Sequence, residues 1–344
     1  MNPIHTVVIR DVSGKQRTLK ICVGDVTDTS NSDKVDVLAI SCFSNDYTPL
    51  LGTIVGQLKT QGIDLRELAE DKALDERARW QTWISQPLSI NAPFGRIACF
   101  EHGKLKQPGS AVGNFFRALT GFALTYGNGE LGIIRVPLLA TGNQRADKAE
   151  MLDAIIRQAY NQLRLCLPVE SVEVVLYSGW DNLHELKFKA ALTIKQVQDE
   201  WSALKLSPDP LFEYFISYRR IDQDLLDKVL NGIKVRKPDA RIFLDKQVLS
   251  HGVFWKPELI GSIYNSKKFL CIITDSYVES GECIDEFHAA LNCGIYRSNF
   301  LIPLLSLTNR KLETLPASFR SVNLIEARCP PRIFDEVLAD VFYS

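Results

Sequence analysis

The sequence predicts an α/β protein made of two successive sheet-and-helix units. Three observations carry this. Short apolar, β-branched runs alternate with helix-length amphipathic segments along both halves of the chain, the pattern of a sheet covered by helices. A length of 344 residues suggests two cores rather than one. Past the midpoint, Leu206-Ser207-Pro208-Asp209-Pro210 interrupts the pattern, and prolines around an aspartate stop a helix and favour an extended connector.

In chain order, Thr6–Arg10 and Thr18–Val23 flank Ser13-Gly14 and read as a hairpin. Val35–Ser41, Gly95–Phe100, Leu131–Pro137 and Val172–Tyr177 follow as buried strands, with a helix from Lys148 to Leu165 before the last. Residues 185–204 place Leu186, Phe188, Leu192, Val197 and Trp201 partly at helical spacing. In the second half, Tyr214–Ser217, Arg241–Leu244, Phe269–Thr274 and Phe300–Leu304 are short apolar strands. Between them, residues 222–235 carry one apolar stripe of Leu225, Leu226, Val229, Leu230 and Ile233. The expected division is a first domain over 1–185, a helical connector and linker over 186–210, and a second domain over 211–344. No internal repeat or low-complexity tract is visible.

Hydrophobic residues make up 46% of the chain and charged residues 24%, with a formal net charge of −1. These totals fit an ordinary globular protein and give no pointer to nucleic acid or an anionic membrane. The eight cysteines are scattered without CxxC spacing, mostly inside apolar runs. They read as reduced core residues, and no metal site is expected. The N-terminus lacks an apolar segment of signal-peptide length, and stretches such as Phe300–Leu305 are too short to span a bilayer. The expectation is a soluble, cytoplasmic protein.

Doubly wound sheets bind ligands beyond the carboxyl ends of their strands. In the second half those positions hold Ser217-Tyr218-Arg219-Arg220, then Asp245-Lys246 with a loop ending Gly252-Val253-Phe254-Trp255, then Thr274-Asp275-Ser276-Tyr277. A helix after the third strand carries Cys283 and Glu286, three apart and on one face with Ala290. The acid is therefore expected near the apolar side, at the rim of the sheet. Cys283 reads as core, and His288 as an exposed helix residue. These landmarks, in this order, resemble the TIR domain family over roughly residues 211–330. Phe215–Arg220 matches the first box, Asp245–Trp255 the second, and Cys283-x-x-Glu286 the acidic motif. The Ser-Tyr-Arg-Arg stretch and the Gly252-x-Phe254 loop look most like the NAD-cleaving members of bacteria and of axon degeneration.

That resemblance implies a flavodoxin-like parallel sheet and cleavage of the nicotinamide–ribose bond of NAD, with Glu286 as catalytic carboxylate. NAD would be substrate, with no tightly bound cofactor. Tyr218, Arg219, Arg220 and Asp245 would position ribose or phosphate, and Phe254 and Trp255 would cover an aromatic base. A plainer reading stays open for each: a solvated acid, a surface arginine pair, a hydrophobic anchor. Two departures are on record. Glu282 stands where many active members have tryptophan, and the second-box loop lacks the usual Arg-Asp and proline. The family also implies self-association through TIR domains, the site being completed by a neighbouring copy.

In the first half, Gly24-Asp25-Val26-Thr27, the Val35–Ser41 strand, Pro137–Gly142 and the final strand resemble the macro domain, a three-layer α/β/α fold that binds ADP-ribose. The resemblance implies an ADP-ribose-related ligand held by Asp25 at the base and by Ala140, Thr141, Gly142 and Asn143 at phosphate and ribose. The family's asparagine-rich strand end and polyglycine loop are absent, replaced by Ser41–Asn45 and Leu50–Thr53, with Gly52 and Gly56 candidates for a remodelled loop. Together the two halves imply a sensor–effector of bacterial immune type. The alternatives are a non-catalytic TIR scaffold, or an enzyme making a cyclic or conjugated ADP-ribose signal.

Overall fold

The structure is a computed structural model that describes residues 1–28, 34–89, 92, 94–103, 108–126, 130–204, 209–244, 257–294, 297, 299–320, 322 and 325–326. The chain divides after Glu200 into two compact units.

The first unit holds strands β1 (Asn2–Arg10), β2 (Gln16–Gly24), β3 (Val35–Cys42), β4 (Lys72–Glu76), β5 (Thr82–Ser85), β6 (Phe94–Glu101), β7 (Leu131–Pro137) and β8 (Val169–Tyr177). They form one sheet in the order β1-β2-β8-β7-β3-β6-β5-β4. The central strands β2, β8, β7, β3 and β6 run parallel, and the outer pairings are antiparallel. β4 and β5 were not expected from the sequence.

Helices cover both faces. α1 (Ile54–Thr60) and α2 (Leu65–Leu68) bring Leu58 and Leu65 onto Leu38, Ile40 and Cys99. A short α3 (Arg77–Trp80) precedes β5. On the opposite face α4 (Pro108–Tyr126) sets Phe115 edge-on to Phe100 at 6.5 Å. α5 (Lys148–Arg164) lies beside α4 and starts at Asp147, whose side chain accepts the Glu150 amide as an N-cap. α6 (Leu183–Ser202) is tied to α5: Thr193 Oγ1 donates to Asp153 at 2.7 Å, and Arg157 reaches Gln196 and Glu200. This is a three-layer α/β/α unit with a macrodomain-like order of elements.

The second unit holds β9 (Phe212–Ser217), β10 (Ile242–Leu244), β11 (Ser266–Ile273), β12 (Leu301–Leu305) and β13 (Ile325–Glu326). Their order is β10-β9-β11-β12-β13, all parallel. This is the flavodoxin-like arrangement, in which the order reverses beside the first strand. Alternation along the strands divides the core. Tyr214, Ile216, Leu270 and Ile272 pack against Leu226, Val229 and Ile233 of α7 (Gln223–Arg236). The other face carries a row of rings, with Phe215 stacked 5.1 Å from both Phe243 and Phe269. The remaining helices are α8 (Pro257–Tyr264), α9 (Gly281–Gly294) and the short α10 (Ala317–Arg320).

His288 departs from expectation. It is 3% exposed, and its Nε2 lies 2.8 Å from Ser318 Oγ. α9 is buried at consecutive positions Ile284 to Ala290, so it has no solvent face there for His288 to occupy.

Candidate functional site

In the second unit the sheet order reverses between β9 and β11, and a parallel sheet opens a crevice at the carboxyl ends of such strands. Ser217 is the last residue of β9 and is paired in register with Cys271. It lies on the same face as Phe215, facing away from α7. After β11 the chain makes a tight turn: the Thr274 hydroxyl accepts the Tyr277 amide, and Asp222 accepts from Thr274 and Ser276 at 2.6 and 2.7 Å. Ser280 Oγ then accepts the Cys283 amide, starting α9.

This geometry brings Glu286 to the end of β9. Its Oε2 is 2.5 Å from Ser217 Oγ, which is 2.8 Å from the Tyr277 hydroxyl, which donates to the Cys283 carbonyl at 3.0 Å. Glu286 is only 5% exposed, Ser217 1% and Tyr277 0%. Ser217 and Tyr277 were not singled out as functional in the sequence. Cys283 is buried, its thiol pushed well up by burial and then by neighbouring Glu286. A thiol so held is not a nucleophile.

The two arginines face different surroundings. Arg219 Nη1 donates to Ser280 Oγ at 3.3 Å, on the α9 side, and Cys283 Sγ contacts the Tyr218 carbonyl at 3.8 Å. Arg220 and the Tyr218 ring instead line a shallow hollow with Gln223, Leu226, Leu230 and Leu244. Glu286 is not among its lining residues. Asp245, Phe254 and Trp255 lie outside the described residues.

The first unit carries a cavity of about 410 Å³ at the carboxyl ends of β2, β3, β7 and β8, walled on one side by α1. Asp25, Thr141, Gly142 and Asn143 line it, and Ala140 does not. Asp25 is oriented by Thr27, whose amide and hydroxyl donate to Oδ1, and by Gln57 Nε2, which donates to Oδ2 at 2.9 Å. Ala140 adopts a left-handed φ of 57° and spends its amide on Ser41 Oγ at 2.8 Å. That twist turns the following loop, where the amides of Thr141, Gly142 and Asn143 make no hydrogen bond among the described residues. Gln144 Nε2 donates to the Cys42 carbonyl at 2.8 Å and also to that of His102, locking the loop onto β3 and β6. A run of free amides is an anion cradle.

At the mouth, Tyr177 meets Trp180 edge-on at 6.1 Å, and Lys148 Nζ sits 4.7 Å over the Trp180 ring. The charged lining consists of Asp25 and Asp46, with no lysine or arginine among the described residues. Gly52 has φ 76°, and a Cβ on Gly56 would sit 2.1 Å from the Leu50 carbonyl. Both glycines are therefore required by the rim loop. Six of the cysteines, from Cys22 to Cys283, are buried and free. No His/Cys/Asp/Glu cluster fit for a metal occurs among the described residues, and no described helix is long and apolar enough to cross a membrane.

A family match exists for part of the second unit. Residues 215–336 match the family model TIR_2, described as TIR domain. No functionally curated protein is similar enough to count as a match. Among solved structures, the chain is similar to the Oceanobacillus iheyensis macrodomain with ADP, at 18% identity and TM-score 0.39 over 57% of this chain and 98% of that one. It is also similar to a C. gigas TIR-STING receptor, at 19% identity and TM-score 0.31 over 40% of this chain and 41% of that one. A third likeness is the TIR domain of a Hydra magnipapillata Toll-related receptor, at 15% identity and TM-score 0.29 over 38% of this chain and 96% of that one. The first unit of the chain is macrodomain-like in the order of its elements, and its segment 215–336 is a TIR domain.

Proposed function

We propose that the TIR domain cleaves the nicotinamide–ribose bond of NAD, with Glu286 as its catalytic carboxylate, and that an ADP-ribose-related nucleotide in the first unit's cavity promotes the TIR self-association this needs. The observation that carries the reading is the Ser217–Glu286 contact of 2.5 Å at the end of β9, beside the reversal of strand order. The cleavage is glycosidic and passes through an oxocarbenium-like transition state. A fixed carboxylate beside the ribose stabilises that developing positive charge. Arg219, on the α9 side, suits a phosphate oxygen. NAD enters as substrate, and no tightly bound cofactor takes part. This is the behaviour of an immune-type effector in which a nucleotide signal leads to NAD loss.

In the first unit, Asp25 fits an amino or ribose donor, the free amides of Thr141–Asn143 fit a diphosphate, and Tyr177 with Trp180 fits a base edge. With Asp25 and Asp46 lining the cavity and no lysine or arginine among its described lining residues, the diphosphate is held mainly by amides, with Lys148 at the mouth as a nearby cation.

The test is NAD consumption by the purified chain, with and without ADP-ribose, alongside particle size. The Glu286→Gln variant is expected to lose ~10²–10³-fold in kcat. Equal turnover by that variant would remove Glu286 from the mechanism. Mass spectrometry of the products separates hydrolysis from a cyclic or conjugated ADP-ribose. A second reading is favoured by the 5% exposure of Glu286: a TIR interaction module without chemistry. Assemblies that form with ADP-ribose yet leave NAD intact would support it.

A further inference from the structure

The order of strands in the first sheet lays out the cavity. β2, β8, β7 and β3 are neighbours in that sequence. At their carboxyl ends stand, in turn, Asp25, Tyr177, the Thr141–Asn143 loop and the turn that carries Phe43 and Asp46. Strands lie ~4.8 Å apart, so the three steps span about 14 Å. Gln144 joins the loop to the Cys42 carbonyl at the end of β3, directly before the turn. A base beside Asp25 and Tyr177, with a diphosphate on the amides, therefore leaves the distal end of a nucleotide at the Phe43–Asp46 turn.

Hydrogen bonds hold that turn in place. Asn45 has a left-handed φ of 56°, and the Phe43 carbonyl accepts the Asp46 amide at 3.0 Å. Glu101, at the end of β6 and 3% exposed, accepts from the Asn45 amide at 3.0 Å, from the Trp83 indole at 2.7 Å and from the Tyr47 hydroxyl. Arg77 Nη1 donates to Asn45 Oδ1 at 3.0 Å. The turn gives the cavity apolar surface and a charge. Phe43 and Leu50 line it while remaining 39% and 50% exposed. Asp46 lines it as well, and hydrogen bonds from Thr48 hold its carboxyl below the usual range, so it is ionised at neutral pH. Arg66 acts on it more weakly than Thr48 does, and Lys148 stands over Trp180, which follows β8. A carboxylate beside a diphosphate is unfavourable unless the ligand itself brings a positive charge to it. A bare ribose would also leave Phe43 and Leu50 with nothing flat to cover.

We infer that the cavity takes a dinucleotide whose distal ribose bears a flat cationic ring, with Phe43 and Leu50 covering the ring and Asp46 balancing its charge. Oxidised NAD has this chemistry, since its nicotinamide ring is planar and positive, and a phenyl face attracts such a cation. The inference rests on the proposed nucleotide role of the cavity and sharpens it. The first unit distinguishes the substrate of the proposed reaction from its ADP-ribose product, which lacks the ring.

The test is calorimetric titration of the full chain carrying Glu286→Gln, with nucleotide integrity checked by chromatography. The same chain with Asp25→Ala supplies the heat that does not come from the cavity. NADH has nearly the shape of NAD without the ring charge, and ADP-ribose lacks the ring. NAD is expected to bind the cavity ~3–10-fold more tightly than NADH. Asp46→Asn, which keeps an acceptor for the Thr48 amide, is expected to erase that preference. NADH and ADP-ribose should bind this variant at least as tightly as before. Phe43→Ala is expected to weaken NAD and NADH but not ADP-ribose. Equal affinities for NAD and NADH in the unaltered cavity overturn the inference, as does a preference that survives Asp46→Asn. In either case, ADP-ribose binding that disappears in Asp25→Ala leaves the proposed nucleotide role standing. No cavity heat from any of the three nucleotides removes both.

Discussion

Single atoms set the limits of both sites. At Gly56 the missing side chain is the feature: the Leu50 carbonyl occupies the place of a Cβ, at 2.1 Å, while accepting from Thr53 through both amide and hydroxyl. Gly56→Ala must displace that carbonyl and with it the start of α1, the cavity wall. The expected cost is ~1–3 kcal/mol of stability, typical of overpacking, with weaker ADP-ribose binding. Denaturant midpoints and calorimetric titration check both, and a variant matching wild type in each would show the loop to be pliant. Residue positions were legible in the sequence where a local pattern sets them. Glu286 was expected near the apolar side, and it is buried at 5% exposure. Its partner Ser217 was not foreseen, because the two are 69 positions apart and meet only through the sheet. His288 was misjudged because a helix buried all round breaks the one-face assumption behind the helical pattern.

At the scale of elements, the long apolar strands and the amphipathic helices were legible, and the short polar edges were not. Lys72–Glu76 is charged and has no β-branched residue, and Thr82–Ser85 is only four residues long; β5 pairs with β6 and β4 with β5, and that pairing makes them strands. β13 is two residues long and exists by pairing with β12. One clamp between elements has a pH signature. Asp275, in the turn after β11, accepts from the Thr308 amide and hydroxyl and from the Asn309 and Arg310 amides beyond β12. Burial opposes its charge, but these donors outweigh it and hold the carboxyl below the usual range. A depressed folded pKa adds stability above the unfolded value, and that stability is lost as pH falls through the folded one. Asp275→Asn is therefore expected to lower the urea midpoint at neutral pH. The difference from wild type should shrink toward about pH 3, below the ordinary carboxylate range. A constant difference across that range would show that the clamp does not depend on charge.

Over the whole molecule, each unit has its own sheet and its own core. Two calorimetric transitions are expected, because separate cores need not unfold together. ADP-ribose should raise the transition of the first unit directly, by the linkage of binding to folding, and that of the TIR domain only as far as self-association follows. A single transition would show the units to be energetically fused. The two sheets were legible from the alternation of strands and helices; the division falls after Glu200, within the 186–210 stretch expected as a connector. The strand order was not legible, because β2 pairs with β8 and not with its sequence neighbour β3.

That pairing bears on how the chain is made. Lys20 on β2 and Glu173 on β8 are partners 153 positions apart. On a ribosome the β1–β2 hairpin forms within its own few residues, then waits with an open edge until β8 has been synthesised. Leu19 and Ile21, fully buried in the finished fold, are expected to lack their covering for that interval. Nascent chains halted before Val169 are expected to be protease-sensitive at the hairpin and to engage chaperones, whereas those halted beyond α6 should be protected.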